Sequence, residues 1–530
     1  MKKIFLFSFM LFIAFSSYGK PECDIIPVPQ SIKYGLGYFE INSDTKIACP
    51  DIGLKPEAKK LQAYITAVSG KEPEIVESTI TDHNVIVLER TISMNDESYQ
   101  LNIGKQRIIC RASTEVGIFY AGQSLIQITD SLGNVPCMDI NDEPRFQWRG
   151  LMLDESRHFF GKEVVMQQLD IMARLKLNRY HWHLTDENGW RIEIKKYPKL
   201  TQEGAFGNWN DRNAPPAYYS QEDIREIVQY ANERHIMIIP EIDMPGHATA
   251  VSRAYPSFTT GGKGRWAGFT LYPVSEETYE FVYNVLKEVA ALFPAPYIHL
   301  GGDEVDFGSK EWLTDPEIQK FIQSNQLIDI KGLEHYFLRR ACGMINSLGK
   351  MAIGWDEVIS SGLTPDQTVV MWWRHDKETQ LEKALNDGFR VILCPRIPCY
   401  FDFVQDESHK IGRRWGKSFN AVEQVYGFPD NLPNLVSGNK RLIAGIQANI
   451  WTERIADKKR LDFMTFPRLI AIAEGAWSDP GCKNFDNFQR RLKLFFNYLN
   501  SSGIYYFNPF DTPSTPEPWG PDHADIISEG

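Results

Sequence analysis

Two neighbouring acids, Asp303 and Glu304, follow two glycines, Gly301 and Gly302, at the end of a short apolar run. Glycines at that place let the backbone pass close to a ligand and turn without a Cβ penalty. Asp303 and Glu304 then lie where the strand ends, so side-chain alternation can break and both can enter one pocket. Related clusters follow other short apolar runs. They are Asp154-Glu155-Ser156-Arg157-His158, then His183-Leu184-Thr185-Asp186-Glu187 before Gly189-Trp190, and Glu241-Ile242-Asp243-Met244-Pro245-Gly246-His247. Trp355-Asp356-Glu357, Trp372-Trp373-Arg374, Tyr400-Phe401-Asp402 and Trp451-Thr452-Glu453 come later. Loops are polar in any protein, but loop polarity does not by itself set carboxylates beside tryptophans so often. Carboxylates bind sugar hydroxyls and supply acid and base, while indoles stack on sugar rings and exclude water. The expected chemistry is carbohydrate hydrolysis.

An ordinary retaining glycosidase places its acid and its nucleophile on different strands, roughly 5 Å apart. Two sequence neighbours suit the substrate-assisted exception, in which an acetamido oxygen of the substrate attacks the anomeric carbon. One carboxylate then holds the acetamide and the other protonates the leaving oxygen. An ionised Asp303 raises the pKa of Glu304 and keeps it protonated as an acid.

These clusters need a frame that brings strand ends together. From about residue 146 the sequence alternates short apolar strands with helical segments. Eight strands are expected, beginning near Gly150, Arg179, Met237, Tyr297, Met351, Val369, Val391 and Leu442. The fold class is therefore α/β, a (β/α)8 barrel with its active site at the carboxyl ends of the strands. About a dozen residues separate the fifth strand from the sixth, too few for a crossover helix, so one degenerate crossover is predicted. A helical run over 488–499 closes the barrel. Before it, residues 20–145 mix alternating strands (Val85-Ile86-Val87-Leu88, Tyr99 to Ile103, Arg107 to Cys110) with a helix over 116–128. That texture predicts a small α/β domain with a two-sided sheet. The resulting division is 1–19 leader, 20–145 small domain, 146–507 barrel and 508–530 extended tail.

The chain has 530 residues, 43% hydrophobic and 24% charged, with a net charge of −11. That acidity argues against a nucleic-acid partner. Met1-Lys2-Lys3, an apolar run from Ile4 to Phe15, and Ser16-Ser17-Tyr18-Gly19 read as a secretory leader cleaved after Gly19. Export to the periplasm or the medium is expected, and no later stretch is long and apolar enough to span a bilayer. Lys20-Pro21-Glu22 before Cys23 does not match a lipoprotein signal. None of the eight cysteines forms a Cys-x-x-Cys pair. A Cys394–Cys399 bridge and scattered buried thiols both fit.

The segments from Arg149 to Phe159, His181 to Asp186, Pro240 to His247 and His299 to Glu304 together resemble glycoside hydrolase family 20. Gly354-Trp355-Asp356-Glu357 and Trp451-Thr452-Glu453 extend the resemblance through the barrel. Ile26-Pro27-Val28-Pro29 opens a region similar to the family's amino-terminal domain. The resemblance implies exo-acting removal of terminal β-linked N-acetylhexosamine from glycans, with no cofactor and no metal. It makes Glu304 the general acid and then base, and Asp303 the residue that orients the acetamide. It implies a Tyr400 hydrogen bond to the acetamido oxygen and a pocket walled by Trp355, Trp373 and Trp451. It places Arg157, Asp402 and Glu453 on ring hydroxyls, and Asp186 with His247 as a pair supporting the acid. The family often has two aspartates where this chain has Asp186-Glu187. Trp373 is chosen over Trp372 because Arg374 follows it.

Two rivals remain. His181-x-His183 puts two imidazoles on one strand face, as in a metal-dependent hydrolase. A silent glycan-binding protein on the same fold is the other, although binding alone does not need both Asp303 and Glu304. Asp356 and Glu357 are read evenly as site residues or as partners of loop backbone and arginines. His158, His181 and His299 are expected to be structural, and Trp190 fits the barrel rim. GlcNAc and GalNAc both fit the sequence.

Overall fold

The computed structural model describes residues 23–77, 83–432 and 440–518, and the backbone of 527–529. The leader expected at 1–19 lies outside them. The first domain is a seven-stranded mixed sheet. Its strand order is Ser31–Glu40, Asn134–Asp142, Tyr99–Ile103, Arg107–Ala112, Val85–Arg90, Lys46–Ala48 and Glu74–Val76. Strand alternation sends Ile86 and Leu88 into the main core, while Val85 and Val87 join Ala48 in a separate cluster. Helix Glu115–Gln127 begins where the Thr114 side chain accepts the Gly117 N–H. Its residues are mostly buried because the barrel covers it. Tyr120 meets Trp477 edge-on at 5.1 Å, and the Arg149 guanidinium lies over both rings. Glu97 pairs with the fully buried Arg149 at 2.8 Å, so an ion pair ties the two domains.

The second domain is a closed ring of eight strands. They are Trp148–Asp154 (β1), Arg179–His183 (β2), Met237–Glu241 (β3), Tyr297–His299 (β4), Met351–Trp355 (β5), Thr368–Trp372 (β6), Val391–Leu393 (β7) and Ile443–Ile450 (β8). β8 pairs in parallel with β1 and closes the barrel. The predicted degenerate crossover is present: between β5 and β6 runs one 3-10 helix, Asp356–Ser360. Trp148, Ile239, Ile353, Met371 and Ile392 fill the barrel interior as one apolar cluster. One step along the same strands the lining turns polar, with His181, Glu241 and His299 all fully buried. Thus the barrel is a packed core that changes from apolar to ionic toward its carboxyl end.

Helix Phe485–Ser501 is longer than the run read from the sequence and buries Phe488, Leu492, Phe495, Phe496 and Leu499. Beyond it the chain is anchored rather than simply extended over the surface. Asn508 N–H donates to Thr515 Oγ1 at 2.8 Å, Tyr505 O–H to the Pro516 carbonyl at 2.7 Å. The backbone of 527–529 pairs in parallel with Arg413–Trp415. The eight cysteines are all free, Cys394 and Cys399 both buried. Among the described residues, no helix is long and apolar enough to cross a membrane.

Candidate active site

Gly301 and Gly302 turn β4 out of its strand at φ 74° and 93°. A Cβ on Gly301 would lie 1.7 Å from Asp243 Oδ1, so no other residue fits beside that carboxylate. Glu304 itself has φ 51°, a left-handed conformation that L-residues adopt at a cost of about 1–2 kcal/mol. The turn brings both acids to one imidazole. His247 Nε2 lies 3.7 Å from Asp303 Oδ2 and 3.8 Å from Glu304 Oε2.

From that ring a chain of alternating acids and bases runs into the barrel. His247 Nδ1 donates to Asp186 Oδ1 at 2.9 Å. Asp186 Oδ2 accepts from His183 Nε2 at 2.9 Å and forms an ion pair with Arg157 Nη1 at 2.7 Å. His183 Nδ1 donates to Glu241 Oε2 at 2.7 Å. Glu241 also accepts the Trp355 indole N–H at 2.9 Å and faces His181 Nε2 at 2.8 Å and His299 Nδ1 at 3.1 Å. The chain thus ends on a carboxylate shared with the pocket wall.

Burial opposes every charge here, and the partners decide each outcome. Burial favours neutral Asp186, but Arg157 and His247 outweigh it and hold its pKa well below the ordinary range. Burial likewise works against charged His183 and His247, yet Glu241 and Asp186 hold the first well above its usual value and Asp186 and Asp243 the second. The acids at the mouth go the other way. Burial, then Asp243, raise Asp303 well above the carboxylate range. Burial also raises Glu304, with His247 opposing and the Glu357 charge adding to the rise. Asp243, buried beside them, is pushed up to about 7, chiefly by burial.

Aromatic rings form the opposite wall. Trp373 and Tyr400 lie nearly parallel, 6.3 Å apart at 11°, and Trp451 approaches Tyr400 at 6.1 Å and Trp355 at 5.9 Å. Trp373 donates its N–H to Glu357 at 3.0 Å. Trp372 instead points into the packing outside the barrel, 1% exposed. Of the two, Trp373 is the one that lines the cavity. Arg157 lies over the Trp451 ring at 5.1 Å. The cavity enclosed is about 440 Å³, within the range of small-molecule sites.

Every predicted site residue lines this cavity except Asp402. Asp402 is 1% exposed and lies behind Arg413, whose Nε is 3.2 Å from Asp402 Oδ2. Arg413 Nη2 donates to Glu453 at 2.8 Å. Arg413, Trp415, Arg396 and Asp376 line the cavity as well, and the motif reading missed them. The one signal for them was the Arg413-Arg414-Trp415 cluster between Gly412 and Gly416. Asp356 is bonded by the Arg374 side chain at 2.6 Å, so this acid is the partner of an arginine. Glu187 contributes its backbone N–H to Asp186 Oδ1.

The His-x-His spacing does put both rings on one face, but those rings serve the carboxylates. His183 donates from both nitrogens. His181 Nδ1 accepts from Gln447 Nε2 at 3.1 Å, which leaves its other nitrogen protonated toward Glu241. Both imidazoles are thus engaged by the carboxylates and by Gln447. His158 Nδ1 lies 2.6 Å from the Thr452 carbonyl, and the Trp190 indole donates to the Ile192 carbonyl at 2.7 Å.

Known proteins resemble this chain in sequence and fold. The model of glycosyl hydrolase family 20, catalytic domain, matches residues 146–480, and that of the family's domain 2 matches residues 22–143. The chain belongs to glycosyl hydrolase family 20. It is 35% identical over 514 residues to a beta-hexosaminidase of Porphyromonas gingivalis, covering 92% of this chain and 65% of that relative. It is 34% identical to a beta-hexosaminidase of Vibrio furnissii, covering 85% and 76%. Among solved structures, an exo beta-N-acetylglucosaminidase from Vibrio harveyi in complex with N-acetylglucosamine superposes with a TM-score of 0.84 at 30% identity, covering 92% of this chain and 79% of that one. The likeness takes in both the barrel and the small domain of this family 20 chain, which spans just under two thirds of the Porphyromonas relative's length.

Proposed function

We propose that this family 20 chain removes terminal, non-reducing β-linked N-acetylhexosamine from glycans by a retaining, substrate-assisted reaction. One observation carries the proposal: the two acids at the mouth face the same His247 nitrogen, while the wall across the cavity is aromatic. Trp355, Trp373, Tyr400 and Trp451 put no carboxylate in the place of a nucleophile. The attacking oxygen then comes from the substrate's own acetamide.

In the first step the acetamido oxygen bonds to the anomeric carbon as the glycosidic bond breaks, and Glu304 protonates the departing oxygen. Tyr400 donates a hydrogen bond to the attacking oxygen, and Asp303 accepts from the acetamido N–H. Positive charge develops on that nitrogen, which draws the Asp303 pKa back down from its raised value in the empty cavity. In the second step the Glu304 carboxylate takes a proton from water, the water oxygen bonds to the anomeric carbon, and the oxazolinium ring opens. Two displacements at one carbon retain its configuration. Arg157 and Glu453 hold ring hydroxyls, with Asp402 supporting the same wall through Arg413.

Release of p-nitrophenol from the N-acetyl-β-glucosaminide, with a thiazoline mimic of the cyclised intermediate as inhibitor, tests the reading. Both are expected, and the matching glucoside without an acetamide should turn over at least 100-fold more slowly, on the order of losing one preorganised transition-state group. Equal rates on the two glycosides would sink the mechanism. Binding of the glycan without release would favour the silent protein, and loss of activity with a chelator would favour the metal rival.

The pH profile gives a second expectation. Glu357 adds negative charge beside Glu304 and raises its pKa, so Glu357→Gln lowers that pKa while keeping an acceptor for Trp373. The acid form is then lost at lower pH, and the alkaline limb of kcat/KM moves toward acid. A limb that stays in place would show that the Glu357 charge does not reach the acid.

Export belongs to the same proposal. It rests on the leader pattern over 1–19, and predicts a mature chain beginning at Lys20 when the protein is recovered outside the cytoplasm and its terminus sequenced.

A further inference from the structure

Arg413 is reached by none of the motifs, yet it forms part of the cavity wall and holds two of the site's acids. Its own support is unusual. The residues around it belong to no long strand or helix, so nothing local rigidifies them. Backbone bonds tie it to the chain after β7: Arg413 N–H donates to the Asp402 carbonyl at 2.9 Å, and Val404 N–H to the Arg413 carbonyl at 3.0 Å. Further support comes from residues well beyond it in the chain.

Glu517, in the carboxyl-terminal arm, accepts the backbone N–H of Lys410 at 2.7 Å and of Ile411 at 3.0 Å through its two oxygens. It also pairs with Arg460 at 2.8 Å, and Arg460, whose side chain is fully buried, donates to the Ile411 carbonyl. His409 is clasped between Phe463 and Phe507, ring centroids 4.9 and 4.6 Å away. The backbone of 527–529 pairs along Arg413–Trp415. One carboxylate thus caps two successive backbone donors just before Gly412, and the next residue is the one that enters the cavity. Charge-assisted bonds to consecutive N–H groups fix a loop more firmly than any single contact.

Besides the acetamide wall and the acid pair, the polar lining of the cavity includes Arg157, Arg413 and Glu453, together with Arg396 and Asp376. On the functional reading above, Arg157 and Glu453 hold ring hydroxyls, and Arg413 is bonded to Glu453 beside them. A planar guanidinium that bonds Glu453 and flanks Asp402 sets the direction in which those carboxylates present their remaining lone pairs. We propose that Arg413 is a specificity-determining residue for the ring hydroxyls of the terminal sugar, and that Glu517 is its positioning residue. The carboxyl-terminal arm is on this view part of the active-site wall. The inference rests on the functional reading above and adds to it a binding residue and the segment that places it.

A double-mutant cycle tests it on the aryl N-acetyl-β-glucosaminide, with the full-length chain. Arg413→Lys keeps the charge and loses the fork; Glu517→Gln loses the charge and one strong acceptor. Each is expected to raise KM about 10-fold, the size of one charge-assisted hydrogen bond weakened, with kcat within about 3-fold; Glu517→Gln also lowers the melting temperature, because it takes the charge partner from the buried Arg460. If Glu517 acts through Arg413, the double variant has the KM of Arg413→Lys alone rather than the product of the two effects. Glu517→Asp, which keeps the charge on a shorter arm, should fall between parent and Glu517→Gln. A lower melting temperature with unchanged KM in both Glu517 variants would overturn the positioning role, as would KM effects that multiply. Unchanged KM in Arg413→Lys would overturn the specificity role. A parent chain that releases no p-nitrophenol would overturn the functional reading itself, and this inference with it.

Discussion

Replacing Glu304 by Gln should lower kcat/KM by about 10²–10⁴ on substrates with poor leaving groups, the usual scale of positioned general-acid catalysis. The loss should shrink on a dinitrophenyl glycoside, whose leaving oxygen needs no proton. The reason lies in the geometry of the turn. Glu304 sits at a left-handed backbone position shortly after two positive-φ glycines, and that turn aims its carboxyl at the same His247 nitrogen as Asp303. The amide introduced by Glu304→Gln preserves shape and can still donate a hydrogen bond, but it has no acidic proton to transfer and no base to offer in the second step. Turnover near the parent's on a poor leaving group would remove Glu304 from the acid role.

Glu241→Leu is the second large expectation, and it concerns stability as well as rate. Glu241 has no exposed surface, accepts from His183 and Trp355, and faces His181 and His299 within 3.1 Å. Its charge holds against burial because those three imidazoles outweigh the desolvation, leaving its pKa well below the ordinary range. An apolar replacement strands a buried, charged His183 and an indole N–H. Breaking one partner from such a pair costs about 3–5 kcal/mol, which a urea unfolding midpoint would register directly. Activity should fall too, because Trp355 loses the anchor that orients the wall and His183 the one that orients Asp186. A midpoint and rate equal to the parent's would show the network to be a bystander.

Much of this site is legible in the sequence. Short apolar runs ending in acids and indoles report a strand and its loop in the same few residues, so the eight strands and most of the lining are legible from local pattern. The short stretch between Trp355 and Thr368 likewise announced a degenerate crossover, because a helix and its loops need a minimum length. The choice of Trp373 over Trp372 rests on a neighbour, Arg374, and in the structure Trp373 lines the cavity while Trp372 is buried in the packing outside the barrel.

What the tertiary structure alone decided are the contacts made across strands and from far along the chain. Glu241 stood in the quoted motif without a role, because its importance comes from register. Closing the barrel sets it level with His183 on one side and His299 on the other, and no spacing within one strand records that. Asp402 was expected in the cavity on its motif, yet Arg413 stands in front of it. Arg413 in turn depends on Glu517, and a bond between segments that distant leaves no periodicity to read. The adjacent acids Asp303 and Glu304 were determined by sequence; which imidazole they share, and through which buried chain it is held, is a property of the closed barrel.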